Sequence, residues 1–563
     1  MKAGEVKFQD LLNGKIQYRV PLFQRTYSWK EENWQRLWDD ILEIYALEPP
    51  RSHFIGAVVT QPIGGSPEHP AKYLLIDGQQ RMMTLFIILA CIRDAAKNAG
   101  EGSPLVEEID DDCVFNKYAK NPDEREKMRP TQRDAAEFKA ILAGEWASAA
   151  GQVGQACHFY RGVLKKGDLD GNHIDSAKLK SCVTDYLDLV SVRLDADDSA
   201  PRIFESLNNT GMALTASDLV RNHIFMSIAD EHEQQVAYEL HWMPMQVRME
   251  EPSGNSALSD FFWRFLMMDG SLPRYDEVFE GMRGWIEEEL KNGKTMVETL
   301  AELNSLSELY VRLWKPASAE SVQVIKTQLE RLNQWEVDVA YPFTLASMRR
   351  WQSGEIDEDR LLAVLKMIES YAVRRLAAAI PTNRLRRIFA NMSGRIDWRD
   401  YVRSSAAYLM DNEWPTDKAF HEAFQTTRVY IPGRLSRTRL ILTSLEQSYE
   451  HHEQIVMTDQ ITIEHLMPQT LNDDWLSELG DDALETHEKY LHTVGNLTYS
   501  GYNYDMGNMP FVKKKETLGL SHFELNRRII RAETWDANAI RSRAQELADR
   551  ALAIWKRDVD AQA

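Results

Sequence analysis

Side chains suited to acid–base and metal chemistry cluster near the C-terminal end of the chain. Glu464 and His465 are adjacent, and Pro468 follows them closely. Three asparagines and a run of lysines complete the set: Asn496, Asn503, Asn508, Lys513, Lys514 and Lys515. Hydrolysis of a phosphodiester needs a base that activates water and a divalent cation that holds the phosphate. A histidine suits the base because its pKa lies near working pH, and carboxylate and amide oxygens suit a hard cation.

Glu464 and His465 can serve one site only where the backbone changes direction. Neighbouring side chains on a strand point to opposite faces, so a bend or the strand's end must bring them together, and Pro468 marks such a break. A lone Glu-His pair is more often a surface pair, whereas the whole set in this order indicates a hydrolytic site. His492 with His465 would also suit zinc, but no cysteine follows Cys182, which favours a packing or capping role for His492.

A second set of polar residues lies where an N-terminal strand meets a helix. YLLI at 73–76 predicts a strand, and the apolar periodicity after Gly78 predicts a long helix. A glycine turn that opens a helix leaves backbone N–H groups free, which favours phosphate. Arg81 adds a planar fork for phosphate oxygens, and Asp77 suits either a cation carried by a nucleotide or a plain helix N-cap.

A polar and aromatic cluster precedes this strand and helix. Gln24 and Arg25 stand close to Tyr27 and Trp29. Such a cluster suits stacking on a nucleic-acid base, and it equally suits a strand-to-helix corner with a buried Trp.

A second glycine-containing turn lies further along the chain, with Asn208 and Thr210 inside it. Thr215 and Asp218 follow at the spacing of a capping box, which predicts a helix that begins there.

The elements that must position these residues indicate a mainly α fold with α+β parts. Strands are expected at 53–62 and 73–76, and residues 100–200 are expected to be mainly helical. Residues 236–425 carry Leu, Trp, Met, Glu and Arg at helical spacing without a fixed repeat. We therefore expect three domains: 1–235, a helical one at 236–427, and 428–563.

Composition limits the class of protein. The chain has 563 residues, of which 44% are hydrophobic and 27% charged, which is typical of a soluble protein of two to four domains. No apolar stretch approaches a membrane span, and the first residues lack the apolar segment of a secretory signal. The sparse cysteines predict reduced thiols in a cytoplasmic protein: Cys91, Cys113, Cys157 and Cys182.

Charge is distributed unevenly along the chain. The net charge of -20 argues against a simple nucleic-acid coat protein. Residues 366–440 reverse that sign, with 14 Lys and Arg against 7 Asp and Glu. The arginines include Arg374, Arg375, Arg384, Arg386, Arg387 and Arg395. Arginine-rich helices are often solvated faces, but the position just before the C-terminal set favours a DNA-facing surface.

The C-terminal motifs resemble a known nuclease domain. IEHLMPQ, followed by GNLTYSGYN and GNMPFVKKK, is similar to the HNH (His-Me finger, ββα-metal) domain of GmrSD-type modification-dependent restriction proteins. The resemblance implies that His465 is the general base, that Glu464 and Asn503 bind the metal, and that Asn496 orients the loop. It also implies that Asn508 and one of the lysines 513–515 support the site or contact phosphate. The third motif position carries Asn where HNH has His.

The N-terminal motifs resemble the same family. PLFQRTYSW, HFIGAVV, IDGQQRMMTL and FESLNNTGMALTASDLV are similar to its N-terminal domain, which has a ParB/sulfiredoxin-like fold. The resemblance implies nucleotide binding and hydrolysis coupled to recognition of modified DNA. The candidate nucleotide-site residues are Gln24, Arg25, Asp77, Gly78, Gln79, Gln80, Arg81, Asn208 and Thr210.

Together these features predict an NTP-linked, modification-dependent DNA endonuclease that acts on foreign or phage DNA. The expected cofactors are Mg²⁺ or Mn²⁺ and an NTP, with GTP, UTP and ATP not distinguished. The expected partners are DNA and nucleotide, with no membrane. The sequence leaves open whether the chain forms a homo-oligomer. Two alternatives remain: an NTP-driven sensor or scaffold with an inactive nuclease site, and an RNA-cleaving toxin.

Overall fold

The chain divides into two compact units. A computed structural model describes residues 2–22, 24–63, 69–100, 103–195, 215–228, 230–250, 257–449, 461–501 and 506–557. The first unit comprises Met1–Met243 and Trp285–Leu300, and the second comprises Pro244–Gly284 and Ala301–Ala563. The division into three domains at 235 and 427 stays a prediction.

The first unit contains a mixed six-stranded sheet. Its strands are β1 Lys2–Lys7, β2 Ile16–Arg19, β3 His53–Ile63, β4 Ala71–Asp77, β5 Met128–Arg129 and β6 Leu187–Arg193. They lie in the order β1-β6-β3-β4-β2-β5. The β1–β6 and β3–β4 pairs are antiparallel, and the other three pairs are parallel. Strand β4 ends at Asp77, and Gly78 alone separates it from the helix that begins at Gln79.

Helices build the core of the first unit around α3. The helices are α1 Phe8–Leu12, α2 Glu31–Ala46, α3 Gln79–Ala99, α4 Ser103–Glu108, α5 Gln132–Leu142, α6 Gln152–Lys166, α7 Ser176–Asp185, α8 Ala216–Ser227 and α9 Glu231–Ala237. Two π-helical turns span Ile109–Val114 and Tyr238–Trp242. Helix α3 is buried on all sides from Met82 to Ile92 and packs against α5, α6 and α7. An all-round apolar helix of this kind is a central core element.

The main expectations for this region are confirmed. The predicted strands at 53–62 and 73–76 and the helix after Gly78 are present, and Thr215 caps α8 with the predicted capping box. The described residues between 100 and 200 are mainly helical, as expected, but the strands β5 and β6 within this range were not predicted. Strand β6 is the longer of the two. Its sequence LDLVSVR alternates buried and half-buried side chains, which is the period of a strand covered on one face. With 63% helix and one mixed sheet, the predicted fold class is confirmed.

The second unit is built from helices and one strand pair. The helices are α10 Met243–Arg248, α11 Leu258–Leu266, α12 Val278–Lys291, α13 Met296–Trp314, α14 Pro316–Ala319, α15 Gln323–Gln334, α16 Tyr341–Gln352, α17 Glu358–Ala377, α18 Leu385–Met392, α19 Tyr401–Asp411, α20 Asp417–Thr426, α21 Leu435–Gln447, α22 Asp473–Leu479, α23 Ala483–Tyr490, α24 Phe511–Leu518, α25 Glu524–Ile529 and α26 Ala537–Ile554. Parts of α10, α12 and α13 belong to the first unit. Strands β7 Thr462–His465 and β8 Leu497–Ser500 pair antiparallel. In the ranges described above, no helix has the length and apolarity that crossing a membrane requires.

The expectation of a DNA-facing surface at 366–440 is wrong for two of its arginines, which are buried. Arg374 is 0% exposed and donates to the carbonyl oxygens of Trp555 and Pro415 and to Asp417. Arg375 is also buried. Both project from the last turn of α17 into the interior, where a guanidinium serves as a buried multiple donor. Exposed arginines follow on the next segments: Arg384, Arg386, Arg387, Arg395, Arg399 and Arg403.

Candidate functional site

The C-terminal candidate site lies where β7 ends. Glu464 and His465 are the last two residues of this strand, opposite Thr498 and Leu497 on β8. The backbone then turns, and the Leu466 N–H donates to the Asn496 carbonyl at 3.0 Å. Helix α24 follows β8 in the chain, so a strand, a strand and a helix surround the Glu-His pair. Strand β7 therefore ends at the Glu464–His465 pair, as the sequence required for the two side chains to serve one site.

Asn496 holds the loop that follows the strand. Its Oδ1 accepts from the Met467 N–H at 2.7 Å and from Trp535 Nε1 at 3.1 Å. Its Nδ2 donates to the carbonyls of Met467 at 2.9 Å and Leu491 at 3.0 Å. Asn496 is fully buried, and these four bonds use the hydrogen-bonding capacity of its amide. Asn496 therefore fixes the backbone beside His465, and its side chain has no oxygen left over for a metal or a phosphate.

A buried ion pair connects the strand to α24. Lys514 is 0% exposed, and its Nζ donates to Glu464 Oε1 at 2.6 Å and to the His465 carbonyl at 2.8 Å. Burial raises the pKa of Glu464 and lowers the pKa of Lys514, while the attraction between the two charges opposes both shifts. The pair thus neutralises Glu464 electrostatically and fixes the backbone at His465.

The His465 imidazole is enclosed by two other rings. The side chain is 5% exposed, and its Nε2 lies 3.1 Å from His492 Nδ1. The Tyr430 ring meets it edge-on with a centroid separation of 4.6 Å. Burial, and then the nearby charges of His492, Lys514 and His487, lower the pKa of His465 to about 3. His465 is therefore a neutral imidazole throughout the physiological pH range.

The remaining C-terminal candidates differ in their exposure to solvent and in their contacts. Asn503 lies outside the described residues. Asn508 is exposed, and its backbone carbonyl accepts from Asn472 Nδ2 at 3.0 Å. Lys513 is exposed on α24, whereas Lys515 donates to the Ala532 carbonyl. Of the three lysines, Lys514 contacts the Glu-His pair and Lys513 is open to solvent.

The end of β7 places a carboxylate beside two imidazoles. Glu464 supplies a carboxylate whose Oε1 is bonded to Lys514, and Asn503 would have to supply a second oxygen. A divalent ion that keeps several water ligands needs few protein donors. Across the described ranges, no three His, Cys, Asp or Glu side chains form a metal-binding group, and His465 and His492 are bonded to each other. The expectation that His492 has a packing or capping role and is not part of a zinc site stays a prediction.

The N-terminal candidate site is built on the turn between β4 and α3. Gly78 has a φ of +89°, and a Cβ there would lie 2.9 Å from the Ala57 carbonyl oxygen. Only glycine tolerates both the left-handed conformation and this close approach. The turn brings Asp77 to the end of the sheet and places Arg81 on the first turn of α3, with its Nη1 donating to the Ala57 carbonyl at 2.8 Å.

The three candidate glutamines hold the neighbouring segment against this turn. Gln24 Nε2 donates to the Ile76 carbonyl at 2.6 Å, and Gln79 Nε2 donates to the Arg25 carbonyl at 3.0 Å. Gln80 accepts from the Ser28 N–H at 2.7 Å. All three glutamines are buried. Their bonds give them a positioning role, which leaves the charged side chains to contact a ligand.

Three charged side chains remain at the turn. Burial raises the pKa of Asp77, and this shift is opposed by the Gly78 N–H, Arg81 and Arg25. Burial lowers the pKa values of Arg25 and Arg81. Asp218, in the capping box of α8, opposes the shift at Arg25. One carboxylate and two guanidiniums are therefore partly desolvated together, an arrangement that suits an anionic ligand with its cation.

The remaining candidates of this site are Asn208 and Thr210, which lie outside the described residues. The helix predicted to follow them, α8, begins at Thr215, whose Oγ1 accepts from the Asp218 N–H at 3.2 Å.

Sequence reasoning missed Tyr430 and gave His492 only a packing or capping role. Tyr430 and His492 contact His465, although they lie far from it in the chain. The backbone carbonyl of His492 accepts from the N–H groups of Val429 and Tyr430, which joins the three segments. His492 lies four residues before Asn496 of the Gly-Asn-Leu motif, and that position was the available signal.

Comparison with known families matches both ends of the chain. Residues 8–225 match the description "GmrSD restriction endonuclease, N-terminal domain". Residues 414–550 match "GmrSD restriction endonucleases, C-terminal domain". No curated protein matches the chain. The two matched regions contain the two candidate sites and together cover more than half of the chain.

Proposed function

Since the chain belongs to the GmrSD restriction endonuclease family, we propose that it is an NTP-linked endonuclease that cuts or nicks modified foreign DNA. The observation that carries this proposal is the neutral, buried His465 imidazole beside Glu464, at the end of a strand that is tied to β8 and α24. This strand–strand–helix order is the one expected of an HNH nuclease core.

His465 would take the proton from the attacking water. Its pKa of about 3 departs from the expected value near working pH: the imidazole is neutral, which is the form that accepts a proton, but it is a weaker base than a free imidazole. Burial and the bond from Lys514 to its backbone carbonyl fix the residue before substrate arrives. A base held in place in this way needs no reorganisation during the reaction.

Glu464 and Asn503 would hold Mg²⁺ or Mn²⁺. When bound, such an ion supplies charge for the scissile phosphate and the leaving oxygen. The ammonium of Lys514 limits the negative charge that Glu464 presents before a cation arrives. Lys513, exposed on the same helix, would contact the phosphate backbone.

Exposed arginines of the second unit would bind duplex DNA. Arg384, Arg386 and Arg387 are exposed at the start of α18, and Arg395 and Arg403 are exposed beyond it. Their affinity for phosphates would be independent of sequence and sensitive to salt. Because the whole chain has a net charge of -20, the surface outside the basic segment would disfavour promiscuous DNA binding.

The first unit would bind an NTP at the turn between β4 and α3. Arg25 and Arg81 would contact its phosphates, and Asp77 would hold the accompanying cation. The unit would also sense the DNA modification and make cutting depend on it, because an always-competent nuclease would damage host DNA. Such control requires that the second ligand binds the active state more tightly than the inactive state.

A cleavage panel tests this function. Unmodified, glucosylated and phosphorothioate DNA are each incubated with the full chain, with GTP, UTP or ATP, and with Mg²⁺, Mn²⁺ or a chelator. We expect cutting of one modified DNA only, dependent on metal and stimulated by one NTP. Equal cutting of all DNAs without nucleotide would contradict the NTP-linked, modification-dependent activity.

The same panel separates the alternatives. A sensor or scaffold with an inactive nuclease site would bind DNA and hydrolyse nucleotide but leave every DNA intact. An RNA-cleaving toxin would degrade purified tRNA in preference to DNA.

A further inference from the structure

His492 and His465 share one hydrogen bond between ring nitrogens. The 3.1 Å separation of His465 Nε2 and His492 Nδ1 requires that one of these nitrogens carries the proton and that the other accepts it. The two rings are nearly perpendicular, with centroids 5.3 Å apart. The contact therefore couples the tautomers of the two histidines, because the proton position on one ring determines the proton position on the other.

The surroundings of His492 hold its imidazole in one orientation. Its ring stacks on Tyr430 at a centroid separation of 5.4 Å and an interplanar angle of 14°. Its backbone carbonyl accepts from the N–H of Val429 at 2.9 Å, and Thr493 forms a bridge with Arg428. The position of His492 Nδ1 is thus set by contacts of both the ring and the backbone of this residue.

Only one of the two proton arrangements leaves His465 able to act as a base. If His492 Nδ1 donated, the neutral His465 would accept at Nε2 and carry its proton on Nδ1, with no free lone pair for water. If His465 Nε2 donates, its Nδ1 keeps a free lone pair. The second arrangement also leaves the proton of His492 on Nε2, the nitrogen that is not part of the bond.

We propose that His492 is a positioning residue for the nuclease reaction: its Nδ1 accepts the Nε2 proton of His465 and so leaves His465 Nδ1 free to deprotonate water. This inference rests on the proposed function of His465 as the base. A base that is itself oriented by a third group recurs in nucleophilic and metal-dependent enzymes. Lys514 fixes the backbone of His465 from α24, and His492 fixes its ring.

Two substitutions of His492 separate orientation from packing. His492→Asn keeps an acceptor close to the position of Nδ1 but loses the ring that stacks on Tyr430. His492→Phe keeps the stacked ring but has no acceptor. We expect His492→Phe to lower kcat by about 10- to 100-fold with KM little changed, as for other residues that orient an active-site imidazole. We expect His492→Asn to retain most of the wild-type kcat.

The proposal is overturned if His492→Phe cuts as fast as the wild type. It is also overturned if His492→Asn is as slow as His492→Phe or slower, since that order is expected of a residue that acts through packing alone. DNA affinity and nucleotide hydrolysis serve as controls for folding, and both should be unchanged in the two variants.

A tautomer measurement keeps this inference separable from the function itself. In the full chain with ¹⁵N-labelled histidine, the His465 signals are identified by their loss in His465→Gln. We expect Nε2 to be protonated in the wild type and a mixture of tautomers in His492→Phe. Protonation on Nδ1 in the wild type would refute the positioning role. Absence of cutting by the wild type together with an Nε2 proton would instead refute the proposed function and leave the hydrogen bond established.

Discussion

Substitution of Lys514 by Met should strongly destabilise the second unit. Met has a similar length and fills the site without a charge, so the main effect is on Glu464, which loses its counter-ion while it stays buried. Removal of one partner of a buried pair costs about 3–5 kcal/mol. The His465 carbonyl also loses its donor. For a unit of this size, that loss corresponds to a melting temperature lower by on the order of 10 °C.

The assay is thermal unfolding of the full chain, with the neighbouring substitution Lys513→Met as the control. Lys513 is exposed on the same helix, so its replacement should change stability by less than about 0.5 kcal/mol. The double variant Lys514→Met with Glu464→Gln should recover much of the loss, because no unpaired charge remains buried.

The pH dependence of this effect has a definite sign. Without Lys514, burial raises the pKa of the folded Glu464 further above its ordinary value of 4.5. A raised folded pKa favours the folded state at low pH, and the benefit is lost as pH rises through it. The deficit of Lys514→Met should therefore be largest at neutral pH and shrink in acid. A deficit that is absent at neutral pH, or equal to that of Lys513→Met, would refute the buried-pair interpretation.

Three further predictions concern Gly78, Asn496 and His465, and thermal or urea unfolding of each variant beside its control tests them. Gly78→Ala should cost about 1–3 kcal/mol, because of its φ of +89° and the close Ala57 carbonyl. Gly162→Ala, on a helix with open space around the new Cβ, should gain up to about 1 kcal/mol; equal effects of the two changes would contradict this. Asn496→Ala should lower the free energy of unfolding by about 3 kcal/mol or more, because it breaks four buried hydrogen bonds. The control Asn508→Ala, at an exposed position, should leave the free energy of unfolding unchanged. Equal losses in the two variants would count against the role of Asn496. Because the pKa of His465 is lowered to about 3 by folding, the wild type should lose more stability than His465→Gln as pH falls below about 6.5, and parallel losses would contradict its burial as a neutral base.

Local patterns in the sequence were sufficient for much of the fold. Strand β4, the turn at Gly78 and helix α3 follow from a short apolar run, a glycine and a helical period, all of which act between near neighbours. The capping box at Thr215 is local for the same reason. Strand β6 was missed because its period of two extends over only a few residues beside long helices.

The candidate site was predictable in its residue types and only partly in its contacts. The choice of Lys514 among three lysines follows from helix phase, since Phe511, Lys514 and Leu518 form the buried face of α24. That spacing could have been read from the sequence. The contact of His492 with His465 could not, because it depends on how a distant loop folds back beside the strand.

The buried arginines show a limit of charge counting. Arg374 raised the basic count of its segment, but its guanidinium binds the carbonyl of Trp555, far along the chain. A count of charges does not show which face of its helix an arginine occupies, or which distant residue it binds. The exposed Arg386 and Arg387 on α18 are therefore better candidates for DNA contacts than the pair at the end of α17.

The most direct test of the account is the cleavage rate of His465→Ala. Under single-turnover conditions with the active combination of DNA, metal and NTP, we expect its rate to fall by at least about 100-fold. The control His522→Ala, an exposed histidine of the same unit, should cut like the wild type. Nucleotide hydrolysis and DNA affinity should be unchanged in both variants. Cleavage by His465→Ala at the wild-type rate would contradict the assignment of His465 as the base.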